Sequence, residues 1–306
     1  MMMYGATGHV AAGGAFGMNG TSPHGNRYAL RHAALCAGLM VLLCTASACD
    51  KAGKRAGAKN EITVATYNIR YCAAGRGPVL NAIRSLGADV IALQEDPVRG
   101  VESAGSAFAR ALGMHHASSA PYAVENATPW ALSILSSHPI ISRDELRVKS
   151  GRRALRVRIS VGGAGCELVT THLSPFVWDA NNPVAANRAR SLRRREELRE
   201  LRAWLGTPST PRILLGDFNS LPVMGELAVL ADDGYRSVWD ALDMPGQGTF
   251  RLSASVHSFV KKYLPVDEEI MLDYIFVSGG ITVLQAGVVR SDASDHYPLT
   301  ARIRLP

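Results

Sequence analysis

Residues 213–219 read Ile-Leu-Leu-Gly-Asp-Phe-Asn, a short apolar run of β type that stops at an acid and an amide. A strand interior packs on its neighbours and stays apolar, so a carboxylate and a carboxamide at its tip ask for a reason. Outward from this stretch the same arrangement recurs. Upstream stand Thr170-Thr171-His172-Leu173, Leu93-Gln94-Glu95 and Tyr67-Asn68-Ile69-Arg70. Downstream stand Leu272-Asp273-Tyr274-Ile275 and Ser294-Asp295-His296-Tyr297-Pro298. One strand-terminal Asp or His is commonly a cap or a satisfied rim residue. Six polar ends in series, each flanked by apolar β residues, point instead to one site shared by several strand tips.

The intervening segments predict a mixed α/β domain. Strands are expected over 62–69, 90–93, 132–135, 140–148, 154–161, 166–171, 213–215, 272–277, 282–289 and 299–303. Gly162-Gly163-Ala164-Gly165 reads as a hairpin turn. Helices are expected over 78–86, 101–112 and 183–205, the first opened by Pro78 and stopped by Gly87. With 306 residues, 47% of them hydrophobic and 19% charged, the chain can bury a large core and is neither disordered nor fibrous. Five cysteines with no C-x-x-C pair exclude a disulfide miniprotein and a structural zinc array.

The first fifty residues read as a separate object. Residues 1–26 are rich in Gly and Ala without helical or strand period, an unstructured leader or a mis-assigned start, with Met18 as the alternative first residue. Residues 27–49 carry the parts of a secretory signal: Arg27 and Arg31, an uncharged stretch, and a small-residue end. That stretch is shorter than the ~20 apolar residues a spanning helix needs. Ala46-Ser47-Ala48 fits a simple cleavage site, while Cys49 resembles the lipid-acceptor cysteine of bacterial lipoproteins. Ala46 stands where lipoproteins usually carry Leu. The expectation is an extracytoplasmic, membrane-anchored lipoprotein attached through Cys49, with a cleaved secreted form or an uncleaved anchor as alternatives. Residues 50–61 read as a tether and 62–306 as the domain, expected to be monomeric. Loss of Arg27 and Arg31, with no acid in the same stretch, takes the formal charge from +7 to +5. That excess tolerates an anionic partner without proving one. Cys72 and Cys166 fall near opposite ends of their strands and are expected to stay free thiols.

Through YNIR (67–70), LQE (93–95), THL (171–173), GDFN (216–219), LDYIF (272–276) and SDHYPL (294–299), in that order, the chain resembles the endonuclease/exonuclease/phosphatase superfamily. That group includes deoxyribonucleases, apurinic-site endonucleases, sphingomyelinases and inositol-polyphosphate phosphatases. The resemblance implies a four-layer α/β sandwich, two packed, largely antiparallel β-sheets flanked by helices, with one site at their common edge. By position, Glu95 resembles the principal ligand of a divalent metal, with Asn68 and Asp295 completing or supporting its shell. Asp217 resembles the residue that orients and deprotonates the attacking water, and Asn219 its phosphate-binding neighbour. His172 and His296 resemble the pair that contacts the phosphoryl group, and Asp273 the carboxylate that fixes the tautomer of His296.

The chemistry agrees with that casting. A phosphodiester is anionic and repels hydroxide, so its hydrolysis needs positive charge and an oriented water. Hard carboxylate and amide oxygens suit Mg²⁺ or Mn²⁺. Imidazoles donate to oxygens that gain charge in the transition state. Arg70, just past Asn68, is a candidate phosphate-backbone contact, with a plain surface arginine as the alternative. The seven arginines of 187–204 (188, 190, 193, 194, 195, 199 and 202) interleave with Glu196, Glu197 and Glu200 and read as a solvated helix face, with a patch for an anionic substrate or anionic lipid as the alternative. The loop 174–182, with Phe176 and Trp178, follows His172 and either overhangs the site or packs. His115, His116 and His138 carry no motif mark.

The expected function is metal-dependent hydrolysis of a phosphodiester by in-line attack of water, with nucleic acid as the leading substrate. A phospholipid or sphingomyelin phosphodiesterase and a sugar or inositol phosphatase are the alternatives within the class. A catalytically silent surface binding protein is the alternative outside it.

Overall fold

Strand side chains alternate between two faces, and in this chain that alternation sorts the apolar residues into layers. The computed structural model describes residues 60–123, 129–177, 183–261 and 267–306. In chain order these contain β1 (Glu61–Asn68), α1 (Arg76–Ser85), β2 (Val90–Arg99), β3 (Glu102–Ser103), α2 (Ala104–Leu112), β4 (His115–Ser118) and β5 (Trp130–Ser136). Next come β6 (Ile140–Arg147), β7 (Arg153–Val161), β8 (Ala164–His172), α3 (Pro183–Leu205) and β9 (Arg212–Asp217). Then follow α4 (Ala228–Asp232), β10 (Arg236–Ser237), α5 (Val238–Ala241), β11 (Phe250–Arg251), α6 (Ala254–Val260) and β12 (Glu269–Ile270). The chain closes with β13 (Asp273–Val277), β14 (Thr282–Val288) and β15 (Leu299–Arg304).

The first sheet runs β14-β15-β1-β2-β5-β4 and the second β10-β13-β9-β8-β7-β6. Inward-facing Ile62 and Val64 of β1, Val90 and Ala92 of β2, Cys166 and Leu168 of β8, Ile213 and Leu215 of β9 and Ile275 of β13 form the core between them. Their neighbours one position along face out: Ala65, Tyr67, Ile91 and Leu93 with α1 and α2, and Val169, Leu214, Tyr274 and Phe276 with α3. The result is the expected α/β sandwich of two sheets between helices. Most pairs are antiparallel; β1 with β2 and β8 with β9 are parallel. Cys72 and Cys166 are free.

Two expectations are corrected. The strand placed over 90–93 runs on to Arg99, because Gln94 and Glu95 together face the single residue Leu132 across the pair with β5. That bulge lets pairing continue where a strand end was expected. The arginines of α3 are not all solvated. Arg188, Arg193, Arg195 and Arg199 are exposed, but Arg194 is fully buried. It pairs with Glu226 through Nε (2.7 Å) and Nη2 (3.0 Å) and lies over the Phe176 ring. Glu226 is 32 residues away, so nothing local to the helix reveals the pairing. Phe176 is packed in the interior, while Trp178, the leader, the signal, Cys49 and nearly all of the tether lie outside the described residues. No described helix is long and apolar enough to cross a membrane.

Candidate active site

Counting on by two along each inward row shows where the site comes from. Above the intersheet core lies a polar rung: Thr66 Oγ1 donates to Gln94 Oε1 (3.2 Å), and Gln94 Nε2 donates to Thr170 Oγ1 (2.9 Å), joining the two sheets. The next inward positions are Asn68 on β1, His172 on β8 and Asp217 on β9. Parallel pairing of β1 with β2, and of β8 with β9, brings their carboxyl ends to one edge, with His172 opposite Asp217. Antiparallel β13 starts at that edge, so Asp273 faces Asp217 from the other side. β15 also runs antiparallel to β1, which carries the preceding Ser294-Asp295-His296 to the tip of Asn68. There Ser294 Oγ donates to the Asn68 carbonyl (2.8 Å).

Local backbone aims the remaining groups. Glu95 has φ +53 at the bulge, which turns its carboxylate into the row rather than onto the outer face. Asp96 beside it is buried and locked by the Gly105 N–H (2.8 Å) and the Ser133 hydroxyl (2.5 Å). Gly216 precedes Asp217 because a Cβ there would overlap the Thr171 carbonyl oxygen. Thr249 Oγ1 accepts from the N–H groups of Leu272 and Asp273 and so fixes the start of β13.

The amide of Asn68 ties the centre together. Its Nδ2 donates to Glu95 Oε1 and to Asp217 Oδ2, both at 3.1 Å, while its Oδ1 accepts from the Arg70 N–H (3.1 Å). His172 Nε2 lies 3.4 Å from Asp217 Oδ2 and 3.9 Å from Glu95 Oε1. His296 Nε2 is 3.7 Å from the same Asp217 oxygen, and its Nδ1 is held by Asp273 at 2.8 Å. Asn219, itself at φ +48, donates its N–H to Asp217 Oδ1 (2.9 Å) and its side-chain amide to the Leu173 carbonyl (3.1 Å). At the rim Arg70 Nε meets Asp295 Oδ2 at 3.3 Å. All eight motif residues expected at the site, and Arg70 with them, therefore converge.

Burial raises the Asp217 carboxyl to about 7; His296 pulls it down and Asp273 pushes it up. Burial opposes charge on His296, but the Asp273 and Asp217 carboxylates win and lift it to about 10. Burial, with the Arg152 and His296 charges, keeps His172 well below its usual range and hence neutral. Burial also raises Glu95. Two groupings can hold a cation. Asp217, Asp273 and His296 bring ligand atoms within 4.8 Å of one another, yet the His296–Asp273 hydrogen bond already commits that pair. Glu95, with Asn68 and Asp295 near it, is the better fit to a hard divalent ion, because a buried carboxylate beside further carboxylates lacks positive charge.

A wall of aromatic side chains beyond Glu95 carried no sequence mark: Tyr71 on Trp130 (ring centroids 4.9 Å), Tyr122 on Trp130 (5.8 Å) and Trp130 beside His172 (6.0 Å). Behind His172, Arg152 Nη1 donates to its carbonyl (3.0 Å). The adjacent Arg152 and Arg153 at the start of a predicted strand were the available signal.

A two-sheet sandwich with an acid–imidazole–amide site at its edge defines a phosphoesterase or nuclease-like fold. The chain belongs to the endonuclease/exonuclease/phosphatase family, whose model matches residues 65–296. Members of that family are hydrolases acting on phosphodiester bonds. Among solved structures, an endonuclease/exonuclease/phosphatase from Beutenbergia cavernae DSM 12333 is similar, with TM-score 0.61 and 20% identity over 80% of this chain and 72% of that one. The human Nocturnin catalytic domain with bound sulfate anion is similar with TM-score 0.58 and 17% identity, over 81% and 94%. D. rerio TDP2 complexed with single strand DNA product gives 0.57 and 17%, over 80% and 99%. No curated protein matches the chain.

Proposed function

We propose that this protein is a divalent-metal-dependent phosphodiesterase that works by in-line attack of water, with nucleic acid as its leading substrate. The carrying observation is the convergence on Asp217: one buried carboxylate shared by Asn68, Asn219, His172 and His296, whose side chains come from four separate segments. Glu95, supported by Asn68 and Asp295, would hold Mg²⁺ or Mn²⁺. Bound there, the ion supplies Lewis-acid charge for the phosphoryl group and the leaving oxygen.

The side chains divide the remaining work. Asp217, raised toward neutrality by burial, is basic enough to take a proton from a water held against it. His296, fixed by Asp273 and kept charged, presents Nε2–H to a phosphoryl oxygen. Neutral His172 donates from the opposite side, and Asn219 and Arg70 contact the phosphate. The TDP2 structure with its DNA product and the mature charge of +5 both favour nucleic acid.

The test is hydrolysis by the purified protein of plasmid DNA, RNA, an aryl phosphodiester, sphingomyelin and inositol phosphates, with Mg²⁺, Mn²⁺, Ca²⁺ or chelator. Cleavage of DNA or the aryl diester that chelator abolishes and Mg²⁺ or Mn²⁺ restores is expected. Cleavage confined to sphingomyelin or inositol phosphates would move the substrate class, and no cleavage at all would leave a binding protein. We further propose an extracytoplasmic monomer tethered by lipid on Cys49. Metabolic lipid labelling should disappear in Cys49→Ser, and persistence of the label would exclude the anchor.

A further inference from the structure

A helix face attracts a partner through the charges its own neighbours leave unpaired. α3 has two outward acids, and both are engaged. Glu196 Oε2 accepts from Arg199 Nε (2.9 Å), and Glu200 Oε2 accepts from the Lys149 N–H (3.1 Å). Its third acid, Glu197, is buried on Ser174. Arg188, Arg193 and Arg195 are exposed and meet no acid among the described residues. The same holds for Arg147, which closes β6.

Topology sets these four cations beside the site. β8 and β9 are parallel, so the helix joining them runs back, and its first half lies at the end of β8 that carries His172. Asn187 grips the Val177 main chain through both atoms of its amide (2.9 Å each), and Arg194 holds the Ser174 carbonyl (3.1 Å). Those anchored residues follow His172 directly. Arg147 reaches the same end, because it pairs with Arg153 at the start of β7, and Lys149 beyond it bonds to Glu200.

The pattern on the helix selects the partner. Leu198, Leu201 and Leu205 face the sheet, which leaves the 63%-exposed Leu192 as the large apolar residue turned outward. A bilayer-binding helix needs an outward apolar face, and α3 has spent its own on the core. Arg188 and Arg195 are about two turns apart, ~10 Å along the axis, too far for one small anion to bridge. A chain of phosphates meets both.

We propose that the outer face of the first half of α3, with Arg147, docks the phosphate backbone of a nucleic acid outside the scissile bond. The contact is sequence-independent and holds the polymer while one phosphate occupies the site. This deepens the nucleic-acid reading and rests on it.

The experiment measures binding of labelled single-stranded and duplex DNA to the full chain in chelator, over a range of salt, by fluorescence anisotropy. Kinetics on plasmid DNA and on an aryl phosphodiester run alongside in Mg²⁺. The triple variant R188Q/R193Q/R195Q should bind DNA at least about tenfold more weakly, with a salt slope smaller by about 1 for each arginine that touches a phosphate. Its KM on plasmid should rise by a similar factor, while kcat/KM on the aryl diester stays within about twofold. R188K/R193K/R195K should stay within about threefold of wild type, because it keeps the charge. So should R84Q/R158Q/R236Q, which removes three exposed arginines from the opposite end of the sheets. The single variants R188Q and R195Q carry the comparison if the triple does not fold. DNA affinity unchanged in the Gln triple, an equal loss in the Lys triple or in the opposite-end variant, an equal fall on the aryl diester, or no DNA binding by wild type would each overturn the proposal. So would a loss confined to vesicles of equal parts phosphatidylglycerol and phosphatidylcholine, which would assign the face to a membrane. DNA binding that needs these arginines, without hydrolysis of any ester, would refute the hydrolase reading and leave this one standing. Cleavage of DNA with KM unaltered in the Gln triple would do the reverse.

Discussion

A carboxylate buried among apolar side chains is a weak participant in chemistry unless its surroundings set its charge. Asp217 receives N–H groups from Asn68 and Asn219 and stands between one charged and one neutral imidazole. Replacing Asp217 with Asn, or His296 with Ala, should lower turnover by a factor of roughly 10²–10⁴ while leaving the fold intact. Rates near wild type in either variant would remove the assignment. A second residue reports on stability rather than catalysis. Burial, with the Arg110 charge, holds His116 at about 4, against an ordinary 6.5, where its Nε2 meets Ser133 Oγ at 3.1 Å. Its folded-state value is depressed, so the neutral ring's contribution is complete above pH 6.5 and is lost as pH falls toward about 4. His116→Gln should flatten that part of the stability profile, read by urea denaturation at pH 7 and pH 4.5. An unchanged difference between the two pH values would contradict it.

At the scale of elements, the bulge in β2 and the buried inner face of α3 decide the site. The bulge inserts Glu95 into the inward row that ends in Gln94, where simple alternation would turn it outward. α3 holds the segment after His172: Arg194 donates to the Ser174 carbonyl (3.1 Å), and Glu197 accepts from the Ser174 N–H (2.9 Å) and hydroxyl (2.6 Å). Arg194→Met leaves Glu226 buried without its counter-charge and should cost ~3–5 kcal/mol, read by urea denaturation. Replacing Glu226 as well, with a residue of similar size and no charge, should recover much of that loss. A single variant as stable as wild type would mean that the pair is not structural.

For the whole molecule, the two sheets meet along one edge where buried carboxylates outnumber their cationic partners. A divalent ion that binds only the native arrangement stabilises it by mass action, ~2.7 kcal/mol at a hundred times its Kd. Chelated protein should therefore melt higher when Mg²⁺ or Mn²⁺ is added, and Glu95→Gln should erase most of that rise. An equal shift in wild type and Glu95→Gln would place the ion elsewhere, with Asp217, Asp273 and His296 the alternative set.

Much of this architecture was legible in the residues alone. Apolar runs of β type located the strands, and polar residues at their ends marked Asn68, Glu95, His172, Asp217, Asp273 and His296, because a buried polar tip carries a cost that demands a purpose. Tertiary structure decided the rest. Strand pairing set which tips meet, the bulge re-aimed Glu95 within a strand that looked finished, and distant Glu226 drew Arg194 out of a helix face that looked solvated. Arg152 differs from its neighbour Arg153 only in what surrounds it: Arg153 finds Glu145, and Arg152 donates to the His172 carbonyl. Periodicity is a local property and can be counted along a chain. Burial and charge pairing depend on residues far apart in sequence, and only folding brings those together.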